Sequence, residues 1–231
     1  MPKGGMRATW DEAAASERMD EYVGDPATAR AELEGLFGRL GADPRGGVCV
    51  EVGCGPGRMT GVLAGRFDRV VAVDVSEAML DRARQNVVAP NVDFRLVSGD
   101  RLDTVEDGIA DVLVCYLVLQ HLPHRHVVQR YLHDVARVLA PGGSAFVQLP
   151  VLQGGMKPRA WRLARTVAVP LTAVFRRAVT SRAAYRGTRL TEAELQAALS
   201  SAGLHTAARD ESPTSPYRYA REVFLRLERS A

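Results

Sequence analysis

Lysine is almost absent from the sequence, and long apolar runs are absent altogether. Of the 30 basic residues only Lys3 and Lys157 are lysines, a bias that reflects the codon usage of a GC-rich genome rather than a function. No apolar run approaches the roughly 20 residues needed to span a bilayer. The N-terminus also lacks the apolar core and cleavage site of a secretory signal. We therefore expect a soluble protein of the cytoplasm.

Cysteine is scarce as well, which excludes two common kinds of scaffold. The chain has three cysteines, Cys49, Cys54 and Cys115. Because they form neither a Cys-x-x-Cys pair nor an even set, we expect neither a zinc knuckle nor a disulfide framework. His121, His124 and His126 match no familiar ligand spacing and have no carboxylate cluster beside them, so we expect no bound metal.

Acidic residues are missing from one long segment of the chain. The net charge is only +3, yet residues 151–190 carry nine basic side chains and no acidic one. A net charge this small does not by itself indicate a nucleic-acid-binding protein. Neither a known nucleic-acid-binding motif nor an interleaving of basic and aromatic residues on strands is present. We therefore expect no nucleic acid as a partner.

The sequence does contain an alternation of strand and helix patterns. Short apolar, β-branched runs predict buried strands, and they occupy residues 48–52, 69–75, 92–100, 110–119 and 144–150. Amphipathic patterns predict helices over 27–40, from the glycine-rich stretch to 63, over 76–87 and over 124–139. This alternation indicates a parallel sheet covered on both faces, with ligands bound at the carboxyl ends of its strands.

The C-terminal part of the chain predicts one further helix and two strands. Thr191 and Glu194 form a capping box that begins the helix, and Gly203 is placed to end it. Residues 204–212 and 220–230 form a close pair of strands. Such a pair suits an antiparallel edge of the sheet.

A glycine-rich stretch, EVGCGPGRMT, follows the first predicted strand. A triphosphate-binding loop needs Lys followed by Ser or Thr after the last glycine, but Arg58 and Met59 stand there. A dinucleotide fingerprint needs a third glycine at position 58, so that interpretation is weakened rather than excluded. What remains is an acid followed by three alternate glycines, whose missing side chains let the backbone turn tightly against a ligand.

As a set, these motifs resemble the class I S-adenosylmethionine-dependent methyltransferases, in particular the small-molecule branch. The resemblance covers residues 45–150 well and the flanks loosely. It implies S-adenosylmethionine as the cofactor. The residues that it assigns to the cofactor are, in chain order, Arg18, Tyr22, Glu51, Gly53, Cys54, Gly55, Gly57, Asp74, Val75, Met79, Asp100, Arg101, Cys115, Tyr116 and Gln120.

The resemblance also implies a role for each group of these residues. Glu51 and the glycines would form the loop beneath the methionine part of the cofactor. Asp74, which ends the second strand, would accept hydrogen bonds from both ribose hydroxyls. Asp100 would accept one from the adenine amino group, with Arg101 lining the ring, although Asp100 alone also suits a turn or a helix cap.

The remaining cofactor residues lie after the fourth strand and in the N-terminal segment. Cys115, Tyr116 and Gln120 would lie beside the sulfonium. In the family an N-terminal helix closes over the cofactor, and Arg18 or Tyr22 would meet the cofactor's carboxylate. A solvated N-terminal helix anchored by one aromatic residue is the alternative.

The fold that the resemblance implies is α/β: a Rossmann-like, doubly wound sheet of seven strands whose last strand runs antiparallel. An N-terminal helical cap and a helical insertion after the fifth strand complete it. We expect one methyltransferase domain over residues 1–231. Its parts are N-terminal helices over 1–44, a cofactor-binding core over 45–150, a basic helical insertion over 151–190, and a C-terminal helix with a β-hairpin over 191–231.

The function that we expect is methyl transfer from S-adenosylmethionine to a small-molecule acceptor, by O-methylation of a hydroxyl. His121 is the candidate general base, because histidine titrates near neutrality and the acceptor should lie just past the fourth strand. The bland alternative is that His121 merely packs at the start of a helix. An amine or a lipid-like acceptor, an NAD(P)-binding oxidoreductase and a non-catalytic cofactor-binding subunit are the other possibilities.

The basic insertion needs its own interpretation. Residues 157–186 suggest two short amphipathic helices, and in the resembled fold an insertion at this place often covers the acceptor. Basic amphipathic helices also bind membrane surfaces, a possibility that we do not favour here. A solvated or dimer-forming face is the third possibility, and we expect a monomer or a homodimer.

Overall fold

The apolar, β-branched runs of the sequence form the strands of one sheet. In this computed structural model, the residues described are 4–15, 26–158, 160, 163, 187–212 and 219–230. The strands are β1 Val48–Val52, β2 Arg69–Asp74, β3 Val92–Leu96, β4 Ala110–Cys115, β5 Leu139–Leu152, β6 Leu190–Thr191, β7 Leu204–Ser212 and β8 Ala220–Arg229. Their order in the sheet is β3-β2-β1-β4-β5-β8-β7, with the short β6 also paired to β5.

The direction of the strands agrees with the predicted fold. β1 pairs in parallel with β2 and β4, and β5 pairs in parallel with β4 and β6. β8 runs antiparallel to both β5 and β7, so the last strand is the reversed one. The Rossmann-like sheet is therefore confirmed, and the two-residue β6 adds an eighth strand. The strand order changes direction between β1 and β4, which is where such sheets bind ligands.

Helices cover both faces of this sheet. The described residues include the helices α1 Gly4–Ala14, α2 Pro26–Arg39, α3 Thr60–Ala64, α4 Glu77–Asn86, α5 Arg125–Val138 and α6 Glu192–Ala202, with a 3₁₀ turn at Leu119–His121. Three helix ends, one of α4 and both of α6, form as the sequence predicts. Ser76 caps α4 by accepting a hydrogen bond from the backbone N–H of Met79, Thr191 and Glu194 form the capping box of α6, and Gly203 ends α6 in the left-handed conformation.

The core lies in two layers because neighbouring strand residues point to opposite faces of the sheet. On one face Val50, Val71 and Leu113 pack with the buried side chains of α5 and α6. On the other face Phe146 packs against Phe37 of α2, with ring centroids 4.7 Å apart. The carboxyl ends of the strands therefore lie between two well-packed layers, which fixes the edge where the predicted site residues lie.

Strand β5 departs from its predicted boundaries. The sequence places Pro141 and Gly142 in a turn before a strand that begins at Ser144, whereas β5 begins at Leu139. Leu139 pairs with Ala110, and the next pair joins Ser144 to Val112, so the intervening residues bulge out of the ladder. A bulge satisfies the pairing on both sides of a proline that cannot donate to the ladder.

Part of the basic insertion, and of the N-terminal segment, lies outside the described residues. Arg18, Tyr22 and most of residues 157–186 belong to that part. Within the described ranges, no helix is long and apolar enough to cross a membrane. The division of the domain into parts, the cytoplasmic location and the oligomeric state stay predictions.

Candidate active site

The glycine loop after β1 packs tightly at its two ends and is open in its middle. Gly53, Gly55 and Gly57 have φ angles of 70°, 54° and 90°, which favour glycine. A Cβ atom on Gly53 would lie 2.4 Å from Val118 Cγ2, and one on Gly57 would lie 2.7 Å from Val87 Cγ2. A Cβ atom on Gly55 would meet nothing within 4 Å. The loop thus presents its middle backbone to open space, as a ligand-binding turn requires.

Glu51 anchors this loop from below. It is buried, and the hydroxyl of Thr60 at the start of α3 donates to its Oε2 at 2.6 Å. Burial and, to a smaller extent, the charge of Asp74 raise the pKa of Glu51 to about 7, although the bond from Thr60 and the charge of Arg58 lower it. The carboxyl group therefore changes its charge near neutral pH.

Asp74 joins the glycine loop to the end of β2. Its Oδ2 accepts the N–H of Gly55 at 2.9 Å, and its Oδ1 accepts the N–H of Ser76 at 2.9 Å. The side chain is only 8% exposed, and burial raises its pKa although these backbone bonds lower it. Each oxygen keeps a lone pair, so the carboxylate has room to accept two ligand hydroxyls.

Asp100 lies beyond β3 and is held by two neighbours. Ser98 Oγ donates to its Oδ1 at 3.0 Å, and Arg130 of α5 forms an ion pair with its Oδ2 at 2.7 Å. Arg101 beside it is exposed. The contact with Arg130 was not predicted from the sequence, and it positions the Asp100 carboxylate at the same edge of the sheet as Asp74.

The chain beyond β4 turns sharply at a strained residue. Leu117 has a φ angle of 60°, which is rare for a residue with a side chain. Its N–H donates to Oε1 of the fully buried Gln148 at 3.0 Å, and Gln148 Nε2 donates to Glu222 at 2.7 Å. Strain of this kind persists only where the surroundings hold it, and it concentrates at functional sites. Sequence reasoning missed Gln148.

The predicted cofactor residues near Leu117 lie in different surroundings. Cys115 is buried in the core layer of α5, where burial raises the pKa of its thiol to about 12. Tyr116 is half-buried and packs on the α2 side of the sheet. Gln120 is buried, and its Nε2 lies 3.1 Å from His121 Nε2. This contact holds the ring at Nε2, and the direction of its hydrogen bond depends on the tautomer of His121.

Helix α1 lies across the ends of β2 and β3. Arg7 donates to the backbone oxygens of Val75 at 3.1 Å and of Val97 at 3.4 Å. The hydroxyl of Ser76 donates to Asp11 at 2.5 Å. Trp10 of the same helix reaches His121, with ring centroids 5.2 Å apart. Arg7 and Asp11 were not predicted from the sequence, although together with Trp10 they lie at the spacing of one helical face.

The two other predicted cofactor residues pack around the loop and α1. Met79 is buried against Ala13 and Ala14 of α1. Cys54 is buried with its Sγ 3.7 Å from the oxygen of Gly55, and burial keeps the pKa of its thiol high. The cofactor roles assigned to all these residues stay predictions. Arg18 and Tyr22 lie outside the described residues.

The strand-end edge around Gly55 and Asp74 has the groups that S-adenosylmethionine requires. The open space above Gly55 lies next to Asp74, whose remaining lone pairs suit a ribose diol. The loop has no lysine to meet a phosphate, and a sulfonium cofactor carries none. The residues present therefore fit a nucleoside that bears a cation rather than a phosphate.

The fold and this edge define a cofactor-binding protein of the methyltransferase type, and comparison with known proteins gives the family. Residues 50–147 match the methyltransferase domain family. The chain is 33% identical over 163 residues to trans-aconitate 2-methyltransferase of Methylobacterium nodulans, which covers 70% of this chain and 56% of that protein. It is 32% identical over 104 residues to ubiquinone biosynthesis O-methyltransferase of Pseudomonas paraeruginosa, which covers 44% of each.

Solved structures agree in fold. Magnesium protoporphyrin IX methyltransferase from Synechocystis with bound S-adenosylhomocysteine has a TM-score of 0.65, 18% identity and 99% coverage of both chains. The matches to the two relatives span about half of each relative's length. The chain belongs to the class I S-adenosylmethionine-dependent methyltransferases, which confirms the predicted family and its cofactor.

The first prediction concerns Asp74. Asp74→Ala should weaken binding of S-adenosylmethionine by about 10- to 100-fold, because a charged acceptor is lost. Isothermal titration measures this. Asp68→Ala is the matched control, since Asp68 also accepts a glycine N–H, that of Gly47 at 2.7 Å, but at the opposite edge of the sheet. An equal loss of affinity in both variants would remove Asp74 from the site.

The second prediction concerns Glu51. Its pKa is raised from 4.5 to about 7 on folding, so its contribution to stability is complete below about pH 4.5 and is lost as the pH rises through about 7. Glu51→Gln keeps an acceptor for Thr60 but cannot ionise. From about pH 4.5 to 8 the free energy of unfolding of the wild type should fall by about 3 kcal/mol relative to this variant. Parallel curves from urea unfolding would contradict the raised pKa.

Proposed function

We propose that this chain transfers a methyl group from S-adenosylmethionine to a hydroxyl oxygen of a small molecule, with His121 as the general base. The observation that carries the proposal is the position of the His121 ring. It follows the end of β4, at the same edge of the sheet as the glycine loop and Asp74. The side-chain amide of Gln120 lies 3.1 Å from the ring Nε2, and a neutral histidine at this place can take a proton on its other ring nitrogen, Nδ1.

The chemistry divides between the cofactor and the chain. When bound, S-adenosylmethionine supplies a sulfonium methyl group, which the acceptor oxygen takes with its own electron pair while the electrons of the broken S–C bond stay on sulfur and leave S-adenosylhomocysteine. His121 takes the O–H proton of the acceptor and later releases it to water. The surrounding residues align the acceptor and exclude water.

We further propose that the cofactor occupies the edge as the family resemblance implies. Asp74 accepts from the ribose hydroxyls with the lone pairs that Gly55 and Ser76 leave free. Asp100 accepts from the adenine amino group beside its ion pair with Arg130. Glu51 and the glycine loop lie beneath the methionine part. The buried positions of Asp74 and Glu51 support these roles, because buried carboxylates need several donors to remain charged.

A hydroxyl acceptor is favoured by two considerations. A ubiquinone biosynthesis O-methyltransferase is among the relatives, and its name describes O-methylation. A hydroxyl must also lose a proton on methylation, whereas a neutral amine needs no base before it reacts. Residues 151–190 are the proposed cover of the acceptor, and their described end, Gly187 and Thr188, bonds to the backbone of Gln120 and Leu122 beside His121.

The third prediction tests the cofactor. Isothermal titration should give a Kd of the order of micromolar for S-adenosylmethionine and for S-adenosylhomocysteine, with no heat for NADH or NADPH. Neither of these two ligands carries a phosphate, so both suit the lysine-free loop, whereas the dinucleotides carry a pyrophosphate. Binding of a nicotinamide dinucleotide instead would support an oxidoreductase. Binding of none of these ligands would contradict the proposed role of the glycine loop.

The fourth prediction concerns His121. Once an acceptor is found by screening hydroxyl and amine compounds, His121→Ala should lower kcat by about 10²- to 10⁴-fold on a hydroxyl and leave cofactor affinity nearly unchanged. His133→Ala is the matched control, because His133 lies on α5 and contacts Ser201 of α6 instead. A wild-type rate for His121→Ala would make this histidine structural.

A further inference from the structure

The rings of Trp10 and His121 are in edge-to-face contact. Their centroids are 5.2 Å apart and their planes lie at 81°. This is a preferred arrangement of two aromatic rings. At one edge of the imidazole, Gln120 Nε2 lies 3.1 Å from ring Nε2. The orientation of His121 is therefore limited by one aromatic and one polar contact, which come from different elements of the fold.

The position of Trp10 is set by contacts that do not involve His121. Arg7 and Asp11, on the same helix, bond to the backbone oxygen of Val75 and to the hydroxyl of Ser76. Val75, whose oxygen accepts, and Ser76, whose hydroxyl donates, directly follow Asp74 at the end of β2. The helix that carries Trp10 is thus docked on the part of the sheet where the cofactor's ribose is proposed to bind.

We propose that Trp10 is a positioning residue for His121. Through α1 it fixes the orientation of the imidazole ring relative to the ends of β2 and β3, so that Nδ1 faces the acceptor while Nε2 stays beside Gln120. This inference rests on the proposed function, because the orientation of His121 matters to the rate only if His121 takes the acceptor's proton. A base that is misplaced by about 1 Å loses much of its effect.

A purely structural role for Trp10 is the competing explanation. Trp10 also packs with Met79, Ala13 and Ala14, so its indole ring contributes to the docking of α1. If that were its whole contribution, removing it would loosen α1, weaken cofactor binding and act equally with or without His121. A positioning residue acts only through the ring that it positions, and the two roles therefore differ in how they combine with a change at His121.

A double-mutant cycle separates the two roles. Trp10→Ala should lower kcat by about 10- to 100-fold at saturating cofactor, and it should have no further effect in the His121→Ala background. Trp10→Phe keeps an aromatic ring and should restore most of kcat. Calorimetric affinity for S-adenosylmethionine should stay within about twofold of the wild type, since Arg7 and Asp11 still bond α1 to Val75 and Ser76. An equal fall of kcat in both backgrounds would overturn the proposal.

Arg7→Gln is the matched control on the same helix. It loosens the docking of α1 without removing the indole ring, so it should weaken cofactor binding by the same factor whether residue 121 is His or Ala. If Arg7→Gln also lost its effect in the His121→Ala background, the coupling would belong to α1 as a whole. That result would overturn a specific role for Trp10.

Nuclear magnetic resonance of the histidine rings tests the contact without any turnover. The indole ring current should displace the ring proton signals of His121, which the His121→Ala variant identifies. Trp10→Ala should move these signals, and the signals of His133 should stay in place. An unmoved His121 signal overturns the inference even if methyl transfer is intact. Absence of methyl transfer with a moved signal would instead count against the proposed function.

Discussion

The hydrogen bond from the Gly55 N–H to the Asp74 carboxylate joins the ends of two neighbouring parallel strands, and the rest of the site depends on it. The 2.9 Å bond holds the glycine loop after β1 against the end of β2. The other oxygen of the same carboxylate accepts the N–H of Ser76, whose hydroxyl accepts the N–H of Met79 at the start of α4 and donates to Asp11 on α1. One buried carboxylate thus orders a loop, the start of one helix and the docking of another.

The charge of this region explains why a sulfonium suits the loop better than a phosphate. Glu51 and Asp74 are both buried, and each has a raised pKa because burial disfavours the charged form. The charge of Asp74 also raises the pKa of Glu51. A phosphate above Gly55 would bring further negative charge to two carboxylates that are already costly to ionise. A cationic ligand lowers that cost, and the scarcity of lysine in the loop agrees with it.

Those parts of the fold whose determinants lie close together in the sequence could be predicted from it. The cap formed by Ser76 and the capping box of Thr191 and Glu194 each involve residues three positions apart, and they form as predicted. Arg7 could not be assigned, because its acceptor at Val75 lies 68 positions away. Nor could the role of Gln148, since only the folded sheet brings it to the strained Leu117. Distance along the chain, not weakness of the interaction, limits what a sequence reveals.

The proposed acceptor side of the site differs from the proposed cofactor side in the contacts that hold it. Asp74 and the glycine loop are fixed by strands that pack on both faces, so substitutions there disturb the whole edge. The described end of the insertion bonds to the segment around His121, from the N–H of Gly187 to the oxygen of Gln120 at 2.9 Å and from the N–H of Thr188 to the oxygen of Leu122 at 2.8 Å. A Cβ on Gly187 would lie 2.3 Å from the oxygen of Gln120, so this close approach needs glycine. Because the insertion ends at these bonds, changes within it can reach the proposed base while the cofactor edge stays intact.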